Sequence, residues 1–183
     1  MRIKLLNVLH YKIVTIVGLC FVLASCSAPD VDFYQSSQPQ FNFKSFFNGN
    51  LKAYGVVQDY KGQLTRKLVV NMEATWKDNI GTIEEDFIYD DDERQKRTWT
   101  ITLDDEGKIE GQASDVIGVA KGRSAGSVFH WQYYVELPYK GDTLETHFDD
   151  WMYLVTDNRL INRTSITKYG IEVAQVTLVI EKE

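Results

Sequence analysis

The sequence predicts an all-β fold: an up-and-down antiparallel β-barrel of about ten strands, preceded by a short helical turn. Three observations carry that expectation. Apolar and polar residues alternate with period two through most of the chain after Leu51. Turn-forming pairs cut that stretch into about ten runs. No helical crossover separates the runs.

The elements follow in order. Phe43, Phe46 and Phe47 fall at i, i+3 and i+4, the spacing of one apolar helical face, and Asn48-Gly49-Asn50 ends that turn. The strand-like runs are Leu51–Asp59, Leu64–Trp76, Thr82–Tyr89, Arg97–Leu103, Lys108–Ala113, Val116–Arg123, Ser127–Leu137, Thr143–Val155, Arg159–Lys168 and Ile171–Glu181. In the second run Leu64, Arg66, Leu68, Val70, Met72, Ala74 and Trp76 share one face. Between runs stand Lys61-Gly62, Asp78-Asn79, Asp157-Asn158 and Tyr169-Gly170, among other turn formers. Short connections favour antiparallel neighbours. A closed barrel satisfies ten of them without a free edge, and a two-sheet sandwich is the alternative.

The N-terminus carries a different pattern. Arg2, Lys4 and Lys12 precede an uncharged apolar run of 11 residues, Ile13–Leu23. That suits an export signal and falls short of the roughly 20 apolar residues that span a bilayer. Leu23-Ala24-Ser25-Cys26 resembles a bacterial lipobox, which makes residues 1–25 a lipoprotein signal peptide and Cys26 the lipidated first residue of the mature chain. An ordinary signal peptide with a chance cysteine, or an uncleaved anchor, is the alternative. Cys20 leaves with the leader, so the mature chain has no thiol pair for a disulfide, as suits a Gram-negative envelope protein. Stable anchoring takes more than one acyl chain. Ser27 after the cysteine fits sorting to the outer membrane, facing the periplasm. Residues 26–40, polar with Pro29 and Pro39, read as the lipidated end and a flexible tether spanning roughly 20 Å. Residues 41–183 are then the barrel domain.

Removing 25 residues from 183 leaves 158, enough for one domain. The leader holds three of the 20 basic residues and none of the 26 acidic ones, so the remainder carries −9. That charge argues against nucleic acid and anionic head groups as partners.

Two resemblances add to this reading. Phe47-Asn48-Gly49-Asn50-Leu51 resembles the opening of lipocalins, where an F-x-G-x-W segment closes one barrel end; Leu51 stands in the Trp place. Five longer blocks are similar to the proteobacterial lipoprotein family known as domain of unknown function 3833. They are Phe46–Gly49 with Ala53–Asp59; Glu84–Asp91; Arg97-Thr98-Trp99; Asp149–Tyr153; and Asn162-Arg163 with Lys168-Tyr169-Gly170. One departure is Asp91-Asp92-Glu93 where the family has Asp-Asp-Gly. The resemblance covers Phe41 to the C-terminus. It implies an envelope lipoprotein of unknown activity, a calycin-like barrel, and a genomic association with lipid metabolism.

Charges in phase with apolar residues mark the candidate site. Arg66 is in phase with Leu64 and Leu68, Glu85 with Ile83 and Phe87, and Arg97 with Trp99 and Ile101. Such charges are costly unless paired. Inside a barrel, the arginines could hold a fatty-acid carboxylate while aromatics surround its chain. Equally, an arginine could pair with Glu85 or reach solvent at a rim. Trp131 and Tyr133 share one phase with Phe129, and Trp151 and Tyr153 share another with Val155. These rings are core or cavity wall. Arg163 could pair with Asp149 or Asp150 across a hairpin, as a structural network at the rim.

Other motifs carry less. Gly122-Arg123-Ser124-Ala125-Gly126 matches G-x-S-x-G, but a nucleophile elbow needs a strand-to-helix turn, and these glycines read as hairpin residues. His130 and His147 are out of phase with their aromatic neighbours, so exposure is expected, and they lack metal-ligand spacing. The acidic clusters lack the interleaving of a calcium loop. No cofactor, metal or catalytic residue is expected. The leading function is a binding barrel for a fatty acid or similar amphiphile. A structural or partner-binding lipoprotein with a filled barrel is the alternative, and a hydrolase or isomerase is the third reading.

Overall fold

In the computed structural model, which describes residues 29–183 apart from 105, 106 and 140, ten antiparallel strands close into one barrel. They are β1 (Gly49–Asp59), β2 (Leu64–Lys77), β3 (Ile80–Tyr89), β4 (Arg94–Leu103), β5 (Lys108–Gln112), β6 (Val116–Ala125), β7 (Val128–Tyr139), β8 (Asp142–Thr156), β9 (Arg159–Lys168) and β10 (Ile171–Lys182). Each pairs with its chain neighbours, and β1 closes on β10 with Leu51 opposite Lys182 and Asp59 opposite Ala174. Closure removes both sheet edges, so the barrel prevails over the sandwich. The leader and Cys26 lie outside the described residues.

Alternation sets what faces inward. On β2, Leu68, Val70, Met72 and Ala74 are buried while Lys67, Asn71, Glu73 and Thr75 are exposed. On β7, Phe129, Trp131, Tyr133 and Val135 point in. Large rings need small residues opposite them. A Cβ on Gly122 would lie 2.5 Å from the Trp131 Cβ and 2.7 Å from Phe129, and one on Gly111 would lie 2.9 Å from the Trp131 ring. Glycine on β5 and β6 therefore lets the β7 rings lie against the wall.

One helical turn plugs the barrel end where β1 begins. It is α1 (Phe43–Phe46), capped by Asn42, whose side-chain oxygen accepts from the Ser45 N–H at 2.8 Å. Phe43, Phe46 and Phe47 are all buried, and Phe43 lies 4.9 Å from Phe129 and 4.7 Å from Phe47 between ring centroids. Burying a phenylalanine stabilises by about 1.5–3 kcal/mol. Such packing holds a helix far too short to persist alone. Trp76 fastens it by donating its indole N–H to the Phe47 carbonyl at 2.5 Å.

The expected tether is corrected over most of its length. Val31–Tyr34 form a 3-10 turn on the outer wall. Val31 is buried with Ala125 and Val128, and Tyr34 packs edge-on to Trp151 and Tyr153, 6.2 Å from each. Arg123 bonds Asp32, the Ser127 N–H donates to Ser37 Oγ at 2.8 Å, and the Phe41 N–H donates to the Gly126 carbonyl at 2.7 Å. Gly126 makes room: its φ is +55°, and a Cβ there would sit 1.8 Å from the Tyr34 carbonyl oxygen. The compact unit therefore starts at Val31. A polar composition suggested a free chain, but two apolar side chains and these three polar contacts are enough to dock it.

Candidate functional site

Above the phenylalanine plug the barrel interior keeps a cavity of about 110 Å³. Its walls are apolar over most of their extent: Phe43 and Phe47 from the plug, Val70 and Met72 from β2, Trp99 from β4, Trp131 from β7, Leu178 and Ile180 from β10. Into this space β3, β4 and β8 bring three ionisable residues, Glu85, Arg97 and Asp150.

Asp150 is buried, and four donors converge on it. Trp131 Nε1–H reaches Oδ2 at 3.0 Å and the Tyr133 hydroxyl reaches Oδ2 at 2.7 Å. Thr164 Oγ1 and Asn162 Nδ2, both on β9, serve Oδ1. Burial raises the Asp150 carboxyl above its ordinary range, with those four hydrogen bonds working in the opposite direction. Burial, together with the neighbouring Asp150, pushes the Tyr133 phenol well above 10.

Arg97 holds Asp115 in a fork. Nε lies 3.0 Å and Nη2 2.6 Å from Asp115 Oδ2, with side chains 12% and 21% exposed. Burial opposes the guanidinium charge, but Glu85 and Asp115 outweigh it and hold the group above its usual value. Its carbon sits 5.7 Å from the rings of Phe87 and Trp99.

Glu85 is left differently. It lines the cavity, its Oε2 is buried, and that atom has no hydrogen-bond partner. Burial pushes its carboxyl up to about 7, against the pull of the Arg97 charge and of a hydrogen bond from Trp99.

Arg66 sits inward at the end of the barrel away from the plug. It bonds Asp91 at 2.7 Å and Glu93 at 2.9 Å and lies 3.6 Å over the Tyr89 ring. The structure therefore brings together Glu85, Arg97, Trp99, Trp131 and Tyr133 around one cavity, with Arg66 beyond it. Both arginines are engaged by carboxylates other than Glu85.

Three expected residues are corrected. Trp151, Tyr153 and Arg163 are on the outer face. On β8 the inward phase is Thr146, Phe148, Asp150, Met152 and Leu154. Trp151 lies against His130 at 4.0 Å and under Tyr34. Arg163, across from Trp151 in the β8–β9 register, is exposed. The outer face looked like core because the Val31–Tyr34 turn covers it. Asp149 is outside too and bonds His130 at 2.9 Å and Gln132 at 2.6 Å. Partial burial would raise it, but these two contacts hold it below the usual carboxylate range. Half-buried His130 and His147 correct the expected exposure.

One participant was missed: Asp115 lies in a turn, where no periodicity marks it. Asp150, expected in a rim pair with Arg163, instead faces the interior; its phase with Phe148 and Met152 signalled this, but the neighbouring Trp151 and Tyr153 masked it. Ser124 stands on β6 one hairpin turn from β7, with a buried Oγ that lacks a partner. No helix follows it among the described residues, and β6 turns directly into β7, so the G-x-S-x-G stretch is hairpin and not elbow.

A closed barrel, plugged at one end and carrying buried charges around an interior cavity, defines a single-domain β-barrel with an internal site. The chain belongs to the family described as Protein of unknown function (DUF3833), which it matches over residues 20–182. No curated protein matches it. Among solved structures it is similar to the S-type phycobiliprotein lyase CPES from Guillardia theta, at 13% identity and a TM-score of 0.59, covering 85% of this chain and 98% of that one. A protein of unknown function from the DUF3598 family of Nostoc punctiforme PCC 73102 aligns at 9% identity and a TM-score of 0.49, covering 86% of this chain and 53% of that one. The first likeness establishes the shared barrel fold, consistent with the calycin-like expectation.

Proposed function

We propose that this protein is a lipid-anchored binding barrel of the bacterial outer membrane, facing the periplasm. Its interior takes an amphiphile, with one apolar chain and one polar end, of which fatty acids are the simplest kind. One observation carries the reading: an apolar-walled cavity holds a buried carboxyl oxygen without a partner, Glu85 Oε2. Buried polar atoms without partners are uncommon in folded proteins and costly to keep. A ligand group that completes the bond would remove that cost. The anchoring half of the proposal rests on the Leu23-Ala24-Ser25-Cys26 motif and the charged, then apolar, leader before it.

A second reading has its own support. Rings fill most of the interior, and the cavity measures only about 110 Å³. A side-chain-filled barrel that serves as an envelope scaffold or partner is compatible with that packing.

Fluorescence separates the two, because Trp99 and Trp131 line the cavity. Delipidated protein is titrated with dodecyl and tetradecyl amphiphiles below their micellar concentrations, and stoichiometry is read by native mass spectrometry. Saturable one-to-one binding supports the binding barrel. Absence of binding throughout the series supports the filled one. For the anchor, Cys26→Ala expressed in a Gram-negative host is expected to move from the outer-membrane fraction to the soluble periplasm or to remain unprocessed. Unchanged processing and outer-membrane fractionation would refute lipidation at Cys26.

A further inference from the structure

We propose that the polar end of the bound amphiphile is a hydrogen-bond donor, an amine or a hydroxyl received by Glu85, and not a carboxylate. This rests on the amphiphile-binding reading and narrows it.

The argument is a census of the interior polar groups. Asp150 already accepts from Trp131, Tyr133, Asn162 and Thr164. Its capacity is filled by groups of the barrel itself. Arg97, the inward cation that a carboxylate would seek, spends Nε and Nη2 on Asp115. Arg66 gives Nη2 to Asp91 and Glu93, and its Nε, buried and without a partner, belongs to a residue outside the cavity lining. Among the charged residues that line the cavity, the atom left unpaired is an acceptor, the buried Oε2 of Glu85.

Charge points the same way. Glu85, Asp150 and Asp115 contribute three carboxyl groups to the interior and its edge, against one guanidinium, Arg97. An entering carboxylate would add another anion in a poorly solvated space, where like charges repel strongly. An ammonium would offset the excess, and a hydroxyl would supply the missing donor without adding charge. Each could bond Oε2 while its chain lies along Trp99, Trp131 and Met72. Leaving a buried acceptor unmatched is the more effective basis of discrimination, since a site built to receive a donor rejects the analogue that lacks one.

Three probes of equal chain length decide it: dodecan-1-ol, dodecylamine and dodecanoate, titrated at pH 8 into the delipidated mature protein and into Glu85→Gln. The expected result is that the alcohol and the amine bind the wild type about tenfold or more tighter than dodecanoate. In Glu85→Gln the gap to dodecanoate is expected to close, because the amide carries no charge and itself offers a donor. Dodecanoate binding as tightly as the other two, or more tightly, overturns the donor assignment and leaves the binding barrel standing. A gap that persists undiminished in Glu85→Gln overturns Glu85 as the receiving group. If none of the three probes binds, the amphiphile reading itself fails.

Discussion

The Arg97 guanidinium and the Asp115 carboxylate meet through Nε and Nη2 at 3.0 and 2.6 Å, with both side chains largely shielded from water. The pair joins β4 to the turn before β6, across the short strand β5. It also commits Nε and Nη2 of the cavity's arginine to the barrel itself.

Removing one partner is expected to be expensive. Asp115→Ala takes the hydrogen-bonded carboxylate away from Arg97 and leaves Glu85 as its neighbouring charge, a loss of about 3 kcal/mol, at the low end for buried pairs because some exposure remains. Replacing both, as Arg97→Met with Asp115→Leu, is expected to cost much less than the single change. Urea unfolding of the two variants checks this. A double variant as unstable as Asp115→Ala would mean that the fork matters for shape and not for charge.

Glu85 makes stability depend on pH in a definite direction. Its ordinary value is 4.5 and its folded value about 7, so between them the folded chain holds a proton the unfolded chain has released. The contribution is fully present below 4.5 and is lost as pH rises through 7. At about 1.4 kcal/mol per pH unit, and with some exposure of the residue, it is on the order of 2–3 kcal/mol. Glu85→Gln cannot ionise and should escape this loss. Between pH 4.5 and pH 8 its stability should therefore rise relative to wild type by roughly 2 kcal/mol. Denaturant unfolding at the two pH values measures the difference, and equal shifts in both proteins would remove the buried-carboxyl assignment.

Tyr133 gives Asp150 a 2.7 Å hydrogen bond in the buried network. Tyr133→Phe keeps the ring against Trp99 and Trp131 and deletes only the donor. A hydrogen bond to a charged group contributes about 1.5–3 kcal/mol, and a loss in that range is expected. Thermal unfolding reads it. A loss under about 0.5 kcal/mol, the scale of ordinary surface changes, would mean that the other three donors already satisfy Asp150.

Much of this fold was legible because a barrel is written in alternation and turns. The run from Leu64 to Trp76 showed its inward face directly, and the ten predicted runs overlap the ten strands. The interior set Glu85, Arg97, Trp99, Trp131 and Tyr133 followed from the same phase rule. That rule failed on β8, where both faces are apolar. There Phe148, Met152 and Leu154 line the inside, while Trp151 and Tyr153 lie under Tyr34. Period two tells faces apart only when one of them meets water. Pairing was illegible for another reason: Asp115 reaches Arg97 from a turn, and Asp91 and Glu93 reach Arg66 from another, so no strand register announces them.

The docked N-terminal segment is the part that a single methyl group should dislodge. Gly126→Ala places a Cβ 1.8 Å from the Tyr34 carbonyl oxygen, at a φ of +55° that alanine disfavours. Backbone on both sides leaves the clash no flexible side chain to absorb it. The segment, held by Val31, Tyr34, Ser37 and the Arg123–Asp32 pair, is therefore expected to release while the closed barrel persists. Limited proteolysis should then cut within residues 31–40 at low protease, and Trp151, uncovered, should become more accessible to a soluble quencher. The same variant separates outer wall from interior. Because Trp151, Tyr153 and Arg163 face outward, Gly126→Ala should leave amphiphile affinity within about twofold of wild type, a change under roughly 0.5 kcal/mol. Trp131→Ala, which opens the cavity wall, should change affinity by far more. A strong loss of binding on release of the segment would mean that Trp151 and Tyr153 shape the interior through the β8 backbone, and would restore them to the site.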